Sequence, residues 1–411
     1  MRNILFITGC YPKEYESFLV ENSKVMPQNA ANVLSWRIIE GFEENIPDNF
    51  KVLTCPFIGY FPKQFKKVLI PDAKWEHKKG YSDDMLGFIN LKGFETLQKS
   101  VRIYKYVKKW YKESPKNRNI LIYSHYAGFM RAAGKIKKKM SDMHITCLVT
   151  DMNEFDERKD LQGLRGKIKG IPRAIMIRTT YKNLPQVSSF VLLAERMKEY
   201  LGVGDRPYTI VEGIAKRPGH DEHIPEEKFK KEDDEFRVVY TGTLHERYGV
   251  VNLARAFNHI KDKKITLYIC GAGDGEKQLN ELALENPNIH FLGVLSHEKA
   301  LDLQKTGDLL VNSMPNFGIH TALSFPSKTM EYMLVGKPVL CYKVEGIPNE
   351  YDDYLMYFKG ESEESIAESV LTISKMDKAV LASWGARNRT FITENKNPKV
   401  MVKKILHMLN L

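Results

Sequence analysis

The chain alternates short apolar runs with helix-length segments, and it does so twice. The first series is Asn3–Ile7, Val52–Thr54, Asn119–Tyr123, Ile145–Val149 and Ser189–Leu193. The second is Phe236–Tyr240, Thr266–Cys270, His290–Leu292, Leu309–Val311 and Val339–Cys341. Runs apolar on both strand faces belong in a parallel sheet covered by helices on each side. The alternation predicts an α/β chain of doubly wound parallel sheets. At 411 residues it exceeds one ordinary core, so two domains of about 200 residues are expected. Between the series, His220–Glu235 is dense in charge and reads as a solvated link. The expected bounds are 1–212 and 213–395, with a closing amphipathic helix in 396–411.

Helical spacing is clearest in two places. In Asn29–Ile39 it predicts an inward face of Val33, Trp36 and Ile39, continued by Phe42. From 97 to 111 it predicts Leu97, Val101, Tyr104, Val107 and Tyr111 inside, with Lys99, Arg102, Lys105, Lys109 and Lys112 in solvent. The aromatic, proline-bearing stretch from about 55 to 94 shows no usable period. Ligands of open α/β sheets sit beyond the C-terminal ends of strands, which singles out Gly9, His125 and Asp151 in the first half.

Charge is unevenly spread. Residues 1–212 carry 36 Lys and Arg against 23 Asp and Glu, whereas the rest is slightly acidic; 101–150 alone hold 12 basic and 2 acidic residues. The first half therefore predicts a basic surface for an anionic partner, with the helix at 97–111 and the run Lys135–Lys139 as its expected seat on an anionic membrane. No nucleic-acid motif accompanies the charge. No apolar run approaches the roughly 20 residues of a membrane helix, and Met1–Ile7 is too short for a signal peptide. The five cysteines (10, 55, 147, 270, 341) lack paired spacing, which predicts reduced thiols in a cytoplasm and no zinc site.

Ser324-Phe-Pro-Ser-Lys-Thr-Met-Glu331 reads as a loop entering a short helix, with Gly336 and Pro338 as its stop. Ser324 or Ser327 is expected to cap it. Free N–H groups beside Ser327, Lys328 and Thr329 are how a protein holds phosphate. Glu331 shares a face with Ser327 and Lys328, one turn below, where a carboxylate can take the two hydroxyls of a ribose. The pattern predicts a nucleoside-diphosphate pocket.

Phe325-Pro-Ser-Lys328, Glu331-Tyr332 and Gly336-Lys-Pro-Val339 together resemble the donor-site helix of GT-B glycosyltransferases, in the retaining group called glycosyltransferase family 4. The resemblance implies two Rossmann-like domains facing across a cleft, with the C-terminal helix returning to the first. It implies that Glu331 holds the ribose of a nucleotide sugar, UDP-sugar in this reading, and that no cofactor or metal is needed. Thr241–Gly249 stands where the family has a diphosphate-gripping loop, and Gly242 and Thr243 belong to it. Thr243 and Tyr248 replace the usual Arg and Lys, so Arg247 and Lys328 are the expected substitutes. Gly271-Ala-Gly-Asp-Gly275 is similar to a Gly-rich turn along the donor pocket. Val294 and Leu295, in Phe291–His297, match the segment that meets the nucleobase. On the acceptor side, Thr150 replaces a common His, Asp151 is kept, and His125 ends another strand. A family Glu near the transferred sugar is here Leu323.

The function so implied is transfer of a sugar from a nucleoside-diphosphate sugar to a saccharide or lipid-linked acceptor, in surface polysaccharide synthesis. Two other readings stay open: a UDP-sugar epimerase of the same fold, and a non-catalytic partner subunit.

Overall fold

A computed structural model of the chain describes residues 3–25, 29–114, 118–150, 152, 163–216, 229, 231–316 and 318–411. It divides into two compact units, 1–214 with 398–411, and 215–397.

The first unit holds β1 (Asn3–Thr8), β2 (Phe50–Thr54), β3 (Leu69–Ile70), β4 (Ala73–Trp75), β5 (Asp83–Met85), β6 (Phe88–Ile89), β7 (Arg118–Tyr123), β8 (His144–Val149), β9 (Ser189–Leu192) and β10 (Tyr208–Ile210). Eight of these form one sheet in the order β10-β9-β8-β7-β1-β2-β5-β4, parallel throughout except for β4 against β5. The chain leaves β1 towards β2 and later returns to its other side with β7, so the switch point lies at β1. Ile4, Phe6 and Val52 pack on one sheet face, and Leu5, Ile7 and Leu53 on the other. This double burial is what the unbroken apolar runs demanded.

The stretch without a period is organised by pairing. β3 and β6 form a separate antiparallel pair, Leu69 opposite Ile89, over a small cluster of Tyr11, Leu19, Phe65, Ile70 and Phe88.

The helix Phe94–Glu113 is present, but its inward face is not the expected one. Ile103 and Val107 are buried with Thr96, Lys99 and Ser100, while Leu97 and Val101 are exposed. The Lys99 stem lies inside and its Nζ sits 3.9 Å from the Phe88 ring centre, donating to the Pro56 carbonyl oxygen at 3.1 Å. A lysine with an apolar stem and a satisfied ammonium can occupy a core position. The expected solvent-facing basic stripe is thus broken at Lys99. In the helix Asn29–Asn45, Ile38, Ile39 and Phe42 are buried, whereas Val33 is exposed.

The closing helix, Pro398–Met408, belongs to the first unit and packs on Asn29–Asn45. Gly41 permits the approach, since a Cβ there would lie 2.4 Å from the Pro398 carbonyl oxygen. Asn45 Nδ2 donates to the Lys399 carbonyl oxygen at 3.0 Å.

The second unit is a parallel sheet of β11 (Phe236–Thr241), β12 (Ile265–Cys270), β13 (Ile289–Phe291), β14 (Leu309–Asn312), β15 (Val339–Cys341) and β16 (Met356–Tyr357), in the order β13-β12-β11-β14-β15-β16. Its switch point falls between β11 and β14. Most of the expected charged link lies outside the described residues. Its end is not solvated: Phe229 is buried, and the Glu235 carboxylate pairs with the buried Arg237 guanidinium at 2.8 Å.

Candidate functional site

The crevice of a doubly wound sheet opens where the chain switches direction, beyond the C-terminal strand ends. In the second unit that place is bounded by Thr241-Gly242-Thr243 at the end of β11, Asn312-Ser313 at the end of β14, and the helix Ser327–Val335. The helix starts on Pro326, and no side chain caps it. Ser324 instead donates from its Oγ to the His320 carbonyl oxygen at 2.8 Å, so neither expected serine cap forms. Thr329 N–H is taken by the Pro326 carbonyl oxygen at 2.8 Å, and Ser327 is exposed at the helix start.

Lys328 and Glu331 share one helix face. Lys328 Nζ lies 3.0 Å from Glu331 Oε2, with both side chains about one-third exposed (34% and 36%). Gln304, buried on the helix His297–Thr306, donates from Nε2 to Glu331 Oε1 at 3.1 Å and to Thr241 Oγ1 at 2.8 Å. Tyr332 is fully buried, and its hydroxyl accepts from Thr241 N–H at 2.8 Å while donating to the Thr241 carbonyl oxygen at 3.0 Å. The end of β11 is thereby locked to the helix, and burial pushes the Tyr332 phenol well above its usual range. Gly242 follows in a positive-φ conformation (φ 143°) against the Lys328 stem; a Cβ there would stand 3.4 Å from Lys328 Cε.

The neighbouring loops interlock through backbone. Gly242 N–H donates to the Cys270 carbonyl oxygen, Leu244 N–H to that of Ala272, and Gly271 N–H to that of Gly293. A Cβ on Gly271 would fall 1.7 Å from the Gly242 oxygen, which only glycine avoids. The Gly-rich turn is thus a packing device between strand ends. Past Gly293, Val294 is 72% exposed and Leu295 rests half-buried on the core.

Other expected residues occupy different settings. Thr243 is exposed, and its carbonyl oxygen accepts from Tyr240 Oη at 2.8 Å. Arg247 is exposed in the turn Glu246–Tyr248, with its guanidinium 5.2 Å from the Tyr248 ring centre. Thr329 points inward and accepts from Asn312 Nδ2 at 3.0 Å, so its hydroxyl ties β14 to the helix instead of facing a ligand. Leu323 is buried. In the first unit, His125 is buried between β7 and the helix Ala127–Lys139; its carbonyl oxygen accepts from Thr180 Oγ1 at 3.1 Å. Ser124 before it adopts φ 69°. Asp151 lies outside the described residues.

Residues 222–391 match the family described as glycosyl transferases group 1. That part of the chain is thus similar to a group 1 glycosyltransferase domain. An uncharacterized glycosyltransferase of Methanocaldococcus jannaschii is 28% identical over 195 residues, 45% of this chain and 47% of that protein. The chain thus spans about half the length of that curated relative. Its fold is GT-B, shared with solved structures of low identity. Sucrose-phosphate synthase from Thermosynechococcus elongatus gives a TM-score of 0.62 at 14% identity, covering 100% of this chain and 98% of that one. OtsA in its apo form gives 0.65 at 10%, covering 100% and 99%. Anabaena HepE in complex with UDP and glucose gives 0.56 at 14%, covering all of both chains.

Within the second unit, sequence reasoning missed Gln304 and the clamp made by Tyr332. Tyr332 stood inside the quoted motif and could have been flagged there. Gln304 has no local signal, because its partners are 63 and 27 residues away.

Proposed function

We propose that the chain transfers a sugar from a UDP-sugar to a saccharide or lipid-linked acceptor, with retention of configuration, in the synthesis of a surface polysaccharide. The observation carrying this reading is the Lys328–Glu331 pair, held at the mouth of the glycosyltransferase domain's sheet beside Gly242. An ion pair exposed to this extent is worth about 0–1 kcal/mol, so a ligand opens it at little cost. Charge-assisted bonds to a diphosphate and a ribose return about 1.5–3 kcal/mol each. Cleavage of the sugar C1–O bond leaves negative charge on the departing phosphate. The Lys328 ammonium, the open N–H groups at the helix start and Arg247 are the groups to stabilise it. Glu331 and Gln304 then serve the ribose, and Val294 and Leu295 the base. UDP in the HepE structure supports the choice of nucleotide. The five cysteines, free and buried, fit a reducing cytoplasm.

Leu323 favours a second reading. A buried leucine where the family places an acid near the sugar suits a subunit that binds UDP without turning it over. Calorimetric titration with UDP, followed by a screen of UDP-sugars for UDP release with and without saccharide acceptors, tests both. Binding plus acceptor-dependent release is expected. Binding with no release from any donor would favour the non-catalytic subunit, and an altered sugar without acceptor an epimerase. Absence of UDP binding would end all three.

A further inference from the structure

The segments 19–25, 60–69 and 88–94 of the first unit form one connected layer. Lys24 N–H donates to the Gln64 carbonyl oxygen and Lys66 N–H to that of Asn22, both at 2.8 Å, and Asn90 N–H donates to that of Val68 at 2.7 Å. Leu69 stands opposite Ile89, and Phe61 bridges Leu91. The layer exposes Val20, Val25, Val68, Leu69, Leu91 and Phe94, six of the sixteen large apolar side chains exposed among the described residues. Leu69 is 64% exposed and Phe94 50%. Single exposed apolar residues are ordinary, but a connected group marks a surface that meets something apolar.

The charges on this layer select what it meets. Lys24, Lys63, Lys66, Lys67 and Lys92 belong to the same three segments, and 60–69 contains no acid. Among the described residues none of the five is in an ion pair. Lys24 and Lys66 donate only to backbone carbonyls, of Pro62 and Glu21. Glu21 is the one acid in the three segments. A protein partner of ordinary polarity would leave five ammonium groups unmatched. An anionic bilayer answers both features, taking short apolar side chains between head groups and lysines against phosphate.

We propose that this layer is the surface by which the first unit docks on anionic lipid, in place of the helix at 97–111. That helix buries Lys99 and pairs Arg102 with Asp72, so fewer of its charges are available. The same segments line a cavity of about 800 Å³, with Phe57, Tyr60, Lys63 and Lys92 among its walls. The purpose of the docking rests on the glycosyl-transfer reading with a lipid-linked acceptor; its test does not.

The full chain is floated with vesicles of phosphatidylcholine alone, and of phosphatidylcholine with phosphatidylglycerol, at about 0.1 M and about 0.5 M salt. Binding is expected on the anionic vesicles at low salt. It should fall about fivefold for each of Lys63→Gln, Lys67→Gln and Lys92→Gln, and at least tenfold for Leu69→Ser with Phe94→Ser. All five positions are exposed, so unchanged circular dichroism and thermal midpoints are expected. Equal recovery on neutral and anionic vesicles overturns the proposal, as does loss of binding only with Lys105→Gln, Lys109→Gln or Lys139→Gln. So does a dimer in sedimentation that Leu69→Ser with Phe94→Ser abolishes while no vesicle binding occurs, since the layer would then serve a second copy. UDP affinity, measured on the same preparations, reads the transferase proposal separately.

Discussion

Lys328 and Glu331 neutralise one another across a single helical turn, with Nζ 3.0 Å from Oε2, while Gln304 holds the other carboxylate oxygen. The two residues proposed for diphosphate and ribose are therefore coupled before any ligand arrives.

Coupling shapes the binding test. Glu331→Gln keeps the shape but removes the charge, and UDP should bind about tenfold or more weaker, by loss of one charge-assisted bond of about 1.5–3 kcal/mol. Lys328→Ala should weaken UDP far more than uridine, which offers the ammonium no phosphate. The double variant should lose less than the sum of the single losses, because each single change also strands a partner. Calorimetry on the four proteins decides it. Equal losses for UDP and uridine on Lys328→Ala would remove the diphosphate from this helix start.

The Gly-rich turn makes a contrasting pair. In Gly271→Ala the new Cβ meets the Gly242 carbonyl oxygen at 1.7 Å, and backbone on both sides must shift. A loss of about 1–3 kcal/mol is expected, together with weaker UDP binding, since Gly242 lies against Lys328. Gly293→Ala also meets a positive φ, of 63°, but has open space around it. It should cost only about 1–2 kcal/mol and leave UDP affinity near the parental value. Urea unfolding and calorimetry on both variants check this; equal effects on UDP binding would refute the packing role of the turn.

The strands were legible because a parallel strand buried on both faces writes itself as an unbroken apolar run, as Leu5, Phe6 and Ile7 do. The helix at 97–111 was misread because charge was equated with exposure. Lys99 is inside on the strength of three aromatic rings and one carbonyl, none of them near it in sequence except by folding. The donor-site helix was legible as a motif, but which of its polar residues face outward was not. Thr329 and Tyr332 look as available as Lys328 and Glu331 until the helix is rotated against β11 and β14.

His125 provides the acceptor-side test. It sits beyond the end of β7, beside the switch strand β1, where sheets of this kind receive ligands. His125→Ala should depress transfer while UDP affinity stays within about twofold, under 1 kcal/mol. Asp151→Ala, at the neighbouring strand end in sequence, is expected to behave alike. Initial rates at saturating donor, beside UDP titrations, are the measurement. Parental rates in both variants would withdraw the assignment.

Acid should weaken the first unit through Asp84. Its carboxylate is buried at the end of the sheet, and burial alone would raise its pKa. Hydrogen bonds from Lys74, from Tyr106 Oη at 2.6 Å and from Lys51 at 2.9 Å outweigh that, and the group is held below the usual carboxylate range. A carboxylate depressed on folding contributes fully above its unfolded pKa of about 3.9, and the contribution fades as pH falls through the lower folded value. Asp84→Asn should therefore lose about 1–3 kcal/mol at pH 7, because Lys51 and Tyr106 are left with a neutral partner. Below about pH 4 the gap between variant and parent should narrow, since the parental carboxylate begins to lose the advantage of its charge once pH falls under the unfolded pKa. Urea midpoints of both proteins, followed from about pH 7 to about pH 3, give the comparison. A gap that stays constant over that range would mean that the Asp84 charge contributes nothing to the fold.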